Sequence, residues 1–201
     1  MTAAATAAKR SWKFPLAIIV GPSVVFLVLA NIGLKIAREN RYQTVTAADR
    51  AQVVTMADLG QAFDPAREVL QKTVEDNASL RLTYRYPKEL GENEPIAMEC
   101  IIVRSLDIVA AKTVVSDTEG EVRRALAHAP GVLEWGDDSK AGILLNQGKP
   151  VGTFFVARKD RYVFVLRITG LQLEPAQLDA VMRPKLEQLT QFAESPASPT
   201  P

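Results

Sequence analysis

The sequence contains one cysteine and one histidine, Cys100 and His128, and these form its candidate pair of nucleophile and general base. A thiol activated by an imidazole can attack a substrate covalently. Cys100, however, falls in the apolar run 96–103, where a thiol is normally inert packing. His128 lies just ahead of Pro130, a position typical of a helix C-terminus, where the helix dipole favours a cation. We therefore predict that this pair is not catalytic.

Metal and cofactor chemistry finds no support in the residue pattern. A zinc site needs clustered His, Cys or carboxylate ligands, and neither Cys100 nor His128 has a second soft ligand near it. Haem-attachment, phosphate-loop and Gly-x-Ser-x-Gly motifs are absent as well. Glu134, Asp137 and Asp138 lack the spacing of a calcium loop and are typical of a solvated turn. The sequence predicts no cofactor, no metal site and no catalytic residue, and it leans against an enzyme.

Basic side chains are the remaining candidates for a binding site. Arg158, Lys159 and Arg161 crowd one predicted hairpin tip, and Arg81 and Arg85 share one predicted strand. Together they could bind phosphate groups or an acidic partner. Because 24 basic residues oppose 23 acidic ones, for a net charge of +1, no global field favours nucleic acid. The patch is a candidate site, ordinary surface charge is the simpler interpretation, and no nucleic-acid partner is expected.

A long apolar stretch near the N-terminus predicts a membrane helix. Residues 14–34 contain no charged side chain, and their 21 positions at about 1.5 Å rise match a hydrocarbon core of about 30 Å. Pro22 predicts a kink within the span. The predicted membrane contacts are Trp12, Phe14, Leu16, Ile18, Ile19, Val24, Phe26, Leu27 and Leu29.

The same segment leaves two questions open. A cleaved signal peptide is the alternative to a membrane anchor, since small residues at 28–30 follow the apolar run, but the run continues to Leu34 and favours the anchor. Basic residues on both flanks nearly balance, with a slight preference for a cytoplasmic N-terminus and a periplasmic or extracellular domain. Ala17 and Gly21 form a small-residue pair that could pack against a partner helix.

The rest of the chain predicts one α+β domain. We expect a polar tail at 1–13, a transmembrane helix at 14–34, a stalk at 35–63, a soluble domain at 64–194 and a disordered tail at 195–201. A capping box at Thr46 to Asp49 predicts a short helix within the stalk.

Within the domain, periodicity separates helices from strands. Helical spacing after Asp64-Pro65 predicts a helix to about residue 76, and strict alternation predicts a strand over 80–86. A buried strand is expected over 96–103, and helices over 106–115 and 122–128. Turn residues then indicate a four-strand antiparallel meander over 131–170, with a final helix from Glu174 across one sheet face.

These features favour a binding role over a reaction. The expected function is a membrane-anchored, non-enzymatic interaction domain, an accessory or assembly subunit of a larger membrane protein complex, with the lipid bilayer and other membrane subunits as partners. The alternative is an extracytoplasmic small-ligand-binding or sensory domain, enzymatic or not, with a pocket between the sheet and its helices.

Overall fold

The computed structural model describes residues 41–75, 79–87, 95–123, 126–128 and 133–192. The predicted transmembrane segment 14–34, with Trp12, Ala17 and Gly21, and the predicted tail 195–201 lie outside these residues. Within the described ranges, no helix is both long enough and apolar enough to cross a membrane.

The described residues form an α+β domain built on one antiparallel sheet. Its eight described strands are β1 (Tyr42–Gln43), β2 (Val69–Val74), β3 (Leu80–Tyr86), β4 (Ala97–Arg104), β5 (Leu126–His128), β6 (Asp138–Asn146), β7 (Lys149–Lys159) and β8 (Tyr162–Thr169). The described helices are α1 (Ala47–Gln52), α2 (Ile108–Val122) and α3 (Pro175–Glu187), with 3-10 turns at Pro65–Arg67 and Leu189–Gln191. The predicted fold class, an antiparallel sheet packed against helices, is confirmed for this part of the chain.

The strand order is β1-β2-β3-β4-β8-β7-β6-β5. Strands β1 to β4 form one meander, strands β5 to β8 form a second, and the two join where β4 pairs antiparallel with β8. Helix α2 makes the connection between β4 and β5. The centre of the sheet is therefore the β4–β8 pair.

Alternation along the strands separates two cores on opposite faces of the sheet. The first face carries Leu82, Cys100 and Phe164 and packs against α3 and residues 53–56. The second face carries Val103 and Val163 and packs against α2. Helix α2 lies over β7 and β8, and in the part of the chain that the structure describes no other helix packs on the second face.

Residues 41–63, which we predicted as part of a stalk, belong to the folded domain. Val53 and Val54 are fully buried, and Met56 is 1% exposed in the first core. The predicted capping box is confirmed, because Thr46 and Asp49 exchange hydrogen bonds at the start of α1. The stalk prediction was wrong for this segment because a short apolar cluster among polar residues has no periodic signature, yet it fills the space beside β3 and β4.

The helix predicted over residues 64–76 is a strand. Asp64 and the proline after it do open a helical turn, as predicted, but that turn ends at Arg67 and β2 follows. Strand β2 pairs with β1 on one side and β3 on the other. Its β-branched residues suit a pleated surface, and two ladders of hydrogen bonds outweigh a weak helical spacing.

The two helices predicted over 106–115 and 122–128 are replaced by one helix and a strand. Asp107 caps α2, since its carboxylate accepts a hydrogen bond from the Ala110 N–H at 2.8 Å. Helix α2 continues through Ser116-Asp117-Thr118-Glu119, although the Ser-x-x-Glu spacing there is that of a capping box. His128, predicted at a helix C-terminus, lies in β5 opposite Gly142.

The predicted hairpins and final helix are largely confirmed. Gln147 and Gly148 both adopt positive φ in the β6–β7 turn, a conformation that suits a tight hairpin. Asp160 takes positive φ in the β7–β8 turn. The second meander begins with β5 at Leu126, whereas the sequence predicted that it begins at residue 131. The apolar stripe of α3 and its extension is in the first core as expected: Leu178, Val181, Met182, Leu186, Leu189 and Phe192.

Candidate functional site

Cys100 lies in the first core, on β4, with no exposed surface. Its Sγ atom accepts a hydrogen bond from the Val54 N–H at 3.4 Å. Burial raises the pKa of the thiol to about 12 because the thiolate would lose its hydration. A neutral, enclosed thiol is a packing group rather than a nucleophile.

His128 is far from Cys100. It lies in β5 at the outer edge of the sheet, and β6, β7 and β8 separate it from β4. Four strand spacings of about 4.8 Å place the two backbones about 19 Å apart. The fold therefore does not bring this nucleophile and base together.

The acidic turn 134–138 is held by protein donors. Asp137 Oδ2 accepts hydrogen bonds from the Asp160 N–H at 2.6 Å and from Arg158 Nη1 at 3.0 Å. The Asp160 hydrogen bond, with Arg158 beside it, holds the pKa of Asp137 below its usual value. No group of three or more potential metal-ligating side chains occurs among the residues that the structure describes.

The five basic candidate residues do not form one cluster. Arg158, Lys159 and Arg161 stand together at the β7–β8 turn. Arg81 and Arg85 lie on β3, three strand spacings or about 14 Å from β7 across the sheet.

Each of these cations also has a partner within the domain. Arg81 pairs with Glu75 at 3.1 Å and Arg85 with Glu99 at 2.8 Å. Arg158 is buried and donates to Asp137 and to the Asp160 carbonyl. The Lys159 and Arg161 cations lie over the rings of Trp135 and Tyr162, at 6.0 Å and 5.7 Å from the ring centres. Their geometry is that of structural contacts rather than of a convergent phosphate site.

A buried ion pair, which the sequence did not indicate, joins the segment 41–63 to β2. Lys72 Nζ donates to Asp49 Oδ1 at 2.9 Å, and the Lys72 side chain is 1% exposed. Asp49 Oδ2 accepts from the Thr46 N–H at 2.8 Å and from Thr46 Oγ1 at 2.9 Å. Phe192 covers the ammonium group, with its ring centre 5.4 Å from Nζ.

The electrostatics of this pair favour its charged form. Burial opposes ionisation of Asp49, but hydrogen bonds from Lys72 and Thr46 outweigh it and keep the pKa of Asp49 below its usual value. If residues 69–74 are interpreted as a strand, its two-residue alternation places Lys72 on the buried face with Leu70 and Val74. This alternation is the sequence signal that could have revealed the ion pair. The pair connects α1, β2 and the C-terminal end of the described chain, so its role is structural.

A second polar network lies next to the ion pair. The Tyr84 hydroxyl donates to Glu68 Oε1 at 2.7 Å and accepts from the Met56 N–H at 3.1 Å. Arg50 donates to the other Glu68 oxygen. Burial raises the pKa of Tyr84 above its ordinary value, so the hydroxyl keeps its proton and the network stays intact.

A small cavity lies between β6, β7 and the start of α3, where the predicted alternative placed a ligand pocket. Its volume is about 180 Å³, below the range of roughly 300 to 1,000 Å³ usual for small-molecule sites. Glu174 is its single ionisable lining residue. The Thr153 hydroxyl in its wall is already used, since it accepts a hydrogen bond from the Leu173 N–H at 2.8 Å.

Among the described residues, half of the second sheet face has no helix packed across it, and we call this half the open face. Helix α2 packs on β7 and β8, and apart from the buried Val103 the side chains of β2, β3 and β4 on the same face are half-buried or exposed. The open face consists of Val69, Gln71, Thr73, Arg81, Thr83, Arg85, Glu99 and Ile101.

A row of charges borders the open face at one end. Arg85, Glu99 and Arg167 are directly opposite one another on β3, β4 and β8. Glu99 bonds Arg85 at 2.8 Å and lies 3.6 Å from Arg167, which also pairs with Glu121 of α2. Thr83, Gln71 and the half-buried Ile101 occupy the centre, so the surface has a weakly polar middle and a charged margin.

Comparison of the chain with protein-family models, curated proteins and solved structures finds no match.

Proposed function

We propose that this chain is a membrane-anchored, non-enzymatic interaction domain that serves as an accessory or assembly subunit of a larger membrane protein complex. The observation that carries the proposal is the open face, a rigid sheet surface that lies beyond the helix covering the neighbouring strands. The apolar, uncharged segment 14–34 supports the membrane anchor.

The arrangement of chemical groups supports a binding role. Reactions need an acid, a base, a nucleophile or an electrophile that converge on one cavity. In the described residues, the side chains best suited to chemistry serve the fold instead: Cys100 is core packing, Asp49 and Lys72 pair with each other, and Tyr84 bonds Glu68.

The open face has the properties of a protein contact surface. Three hydrogen-bonded strands hold its side chains in fixed positions, so a partner would meet a preformed surface and lose little entropy in ordering it. Arg85 and Glu99 at the margin could fix the position of a bound partner through complementary charge. Thr83 and Ile101 offer a central contact.

The location belongs to the same proposal. The N-terminus would face the cytoplasm and the domain would lie on the periplasmic or extracellular side, with the bilayer and other membrane subunits as partners. A small-ligand or sensory role is the second candidate, and it would use the cavity at the start of α3; its small volume and single ionisable residue make it the weaker one.

Co-purification tests the proposal. We would extract membranes in mild detergent, recover the C-terminally tagged full chain and identify bound proteins by mass spectrometry. The expected result is a constant set of membrane subunits in near-stoichiometric amount. Recovery of the chain alone would contradict the proposal and direct attention to the cavity.

A matched pair of substitutions tests the open face. Thr83→Glu adds a charge between Arg81 and Arg85, which the isolated domain tolerates because both neighbours are cationic. In an interface that charge would be desolvated, so we expect co-recovery to fall roughly tenfold or more, as an added cost above about 1.4 kcal/mol implies. Thr190→Glu, at an exposed position after α3, is the control and should leave co-recovery unchanged. Equal recovery with both variants would exclude the open face.

A further inference from the structure

Four large apolar side chains are exposed among the described residues, and three of them are nearly consecutive. Leu106 is 60% exposed, Ile108 46% and Val109 73%, all at the start of α2, and Tyr42 of β1 is 60% exposed. Contiguous exposed apolar residues of this size usually mark a surface that contacts a membrane or another protein.

All four lie at the end of the sheet where the described chain begins. The Arg41 carbonyl accepts a hydrogen bond from the Val74 N–H at 2.8 Å. From Val74 the register runs directly across the sheet through Leu80, Arg104 and Tyr162 to Lys159. Leu106 follows two residues after Arg104, so the apolar residues and Arg41 share one end, which we call the Arg41 end.

A hydrogen bond fixes the apolar loop to this end. The Ser105 N–H donates to the Arg161 carbonyl at 2.9 Å, which holds the residue before Leu106 against the β7–β8 turn. Asp107 then caps α2 and fixes the direction in which the helix leaves. Leu106, Ile108 and Val109 are therefore presented by a rigid loop and helix start.

Chain length decides which partner this end can meet. Residues 35–40 alone separate Arg41 from the predicted span, and six residues fully extended reach at most about 20 Å. The Arg41 end must therefore stay close to the bilayer if the span is an anchor. The opposite end of the sheet, at Lys149, lies a full length of β7 away, roughly 30 Å.

The polar residues at the Arg41 end suit the headgroup region. Arg104 and Lys159 lie in the same register row as Arg41, and Arg161 lies in the adjacent turn. Two acidic groups there bond within the protein: Asp107 accepts from the Ala110 N–H, and Asp137 accepts from Arg158. Asp160 is exposed, so the charge is mixed and apolar insertion provides the main attraction.

We infer that the Arg41 end of the domain is a second membrane contact, in which Leu106, Ile108 and Val109 insert into the lipid interface and Tyr42 lies at headgroup level. This inference rests on the membrane anchor of the proposed function. It assigns the domain a fixed orientation, with β7 directed away from the bilayer from Lys159 to Lys149.

Depth-dependent quenching of the full chain in vesicles tests the contact. We would place an environment-sensitive fluorophore on Val109→Cys, reconstitute the chain in phosphatidylcholine and phosphatidylglycerol vesicles, and add lipids that carry a nitroxide quencher. Cys100 is fully buried and should not react, which labelling of the unsubstituted chain checks. Lys149→Cys, exposed at the opposite end, is the matched control.

The expected result is strong quenching at position 109, corresponding to insertion of about 5 to 10 Å below the headgroups, with no quenching at position 149. Equal quenching at both sites, in a chain that resists carbonate extraction, would overturn the membrane contact and leave the anchor in place. Protection of position 109 from aqueous iodide without lipid quenching would also overturn it, because a protein would then cover the loop. Release of the chain by carbonate would overturn the anchor and this inference together.

Discussion

Replacing Asp49 with asparagine should strongly destabilise the domain. The carboxylate accepts one hydrogen bond from Lys72 and two from Thr46, and the Lys72 ammonium is almost completely buried. Asparagine has one acceptor oxygen in place of two and no charge, so either Lys72 or Thr46 loses its partner. Removing one member of a buried ion pair typically costs about 3 to 5 kcal/mol.

The predicted loss is large compared with the stability of a domain of this size. At roughly 2 to 4 °C per kcal/mol for domains of about 150 residues, Asp49→Asn should lower Tm by roughly 6 to 20 °C. Thermal melting of the full chain in mild detergent, followed by circular dichroism, measures this shift. Asp179→Asn is a matched control, because Asp179 pairs with Arg183 on the surface of α3 and such pairs contribute about 0.3 to 0.5 kcal/mol.

Two further measurements test the reasoning behind that prediction. The double variant Asp49→Leu with Lys72→Met removes both charges and should recover most of the loss, since replacing a buried pair by apolar residues is often neutral. Because the folded-state pKa of Asp49 is lowered, its stabilisation is present above the unfolded pKa of about 3.9 and is lost as the pH falls through the folded value. Asp49→Asn should therefore weaken the acid dependence of Tm. A shift as small as that of Asp179→Asn would refute the buried pair and the docking of residues 41–63.

Three other perturbations have defined outcomes. Deleting residues 41–63 removes the three buried apolar side chains of Val53, Val54 and Met56, each contributing roughly 1.5 to 3 kcal/mol. The remaining chain should therefore lose protease resistance and cooperative melting. Gly152→Ala should lower the free energy of unfolding by about 1 to 3 kcal/mol, because its Cβ would lie 1.9 Å from the Ile168 carbonyl oxygen. Gly120→Ala, within α2, should raise it by roughly 0.5 to 1 kcal/mol, because the added Cβ would meet open space. Urea titration compares the two variants. Burial raises the pKa of Cys100 to about 12, so the contribution of the neutral thiol to stability is present below its ordinary pKa of 9.0 and is lost as the pH rises from 9.0 toward 12. Cys100→Ala should flatten this alkaline dependence of stability. Rapid labelling of the native chain by a thiol reagent would contradict the buried site.

Local sequence determined the elements whose signal is short-range. Leu80–Tyr86 alternates apolar and polar residues without interruption, and it forms β3 with every second residue buried. The residues at 147 and 148 tolerate positive φ, and a tight hairpin forms there. Helix α3 has its apolar stripe in the core because a 3.6-residue period needs no information from distant residues.

Tertiary pairing decided the segments whose local pattern fits two structures. In Val69–Val74, the residues Leu70 and Val74 are four apart, which suits a helix face, and also an even number apart, which suits a strand face. The neighbouring strands β1 and β3 select the strand, and that choice places Lys72 on the buried face.

The surfaces proposed for binding depend on strand order, which local sequence does not encode. The open face exists because β4 pairs with β8, so α2 lies over the second meander, and no described helix packs on β2 and β3 on that side of the sheet. The Arg41 end exists because the chain enters the sheet beside β2, which places Arg41 opposite Val74 and in the same register row as Arg104. The sequence by itself determined an apolar, uncharged segment at 14–34 and an α+β domain, since both follow from local hydrophobic period and composition. Only the folded chain decided which residues share a surface, because those contacts join positions dozens of residues apart.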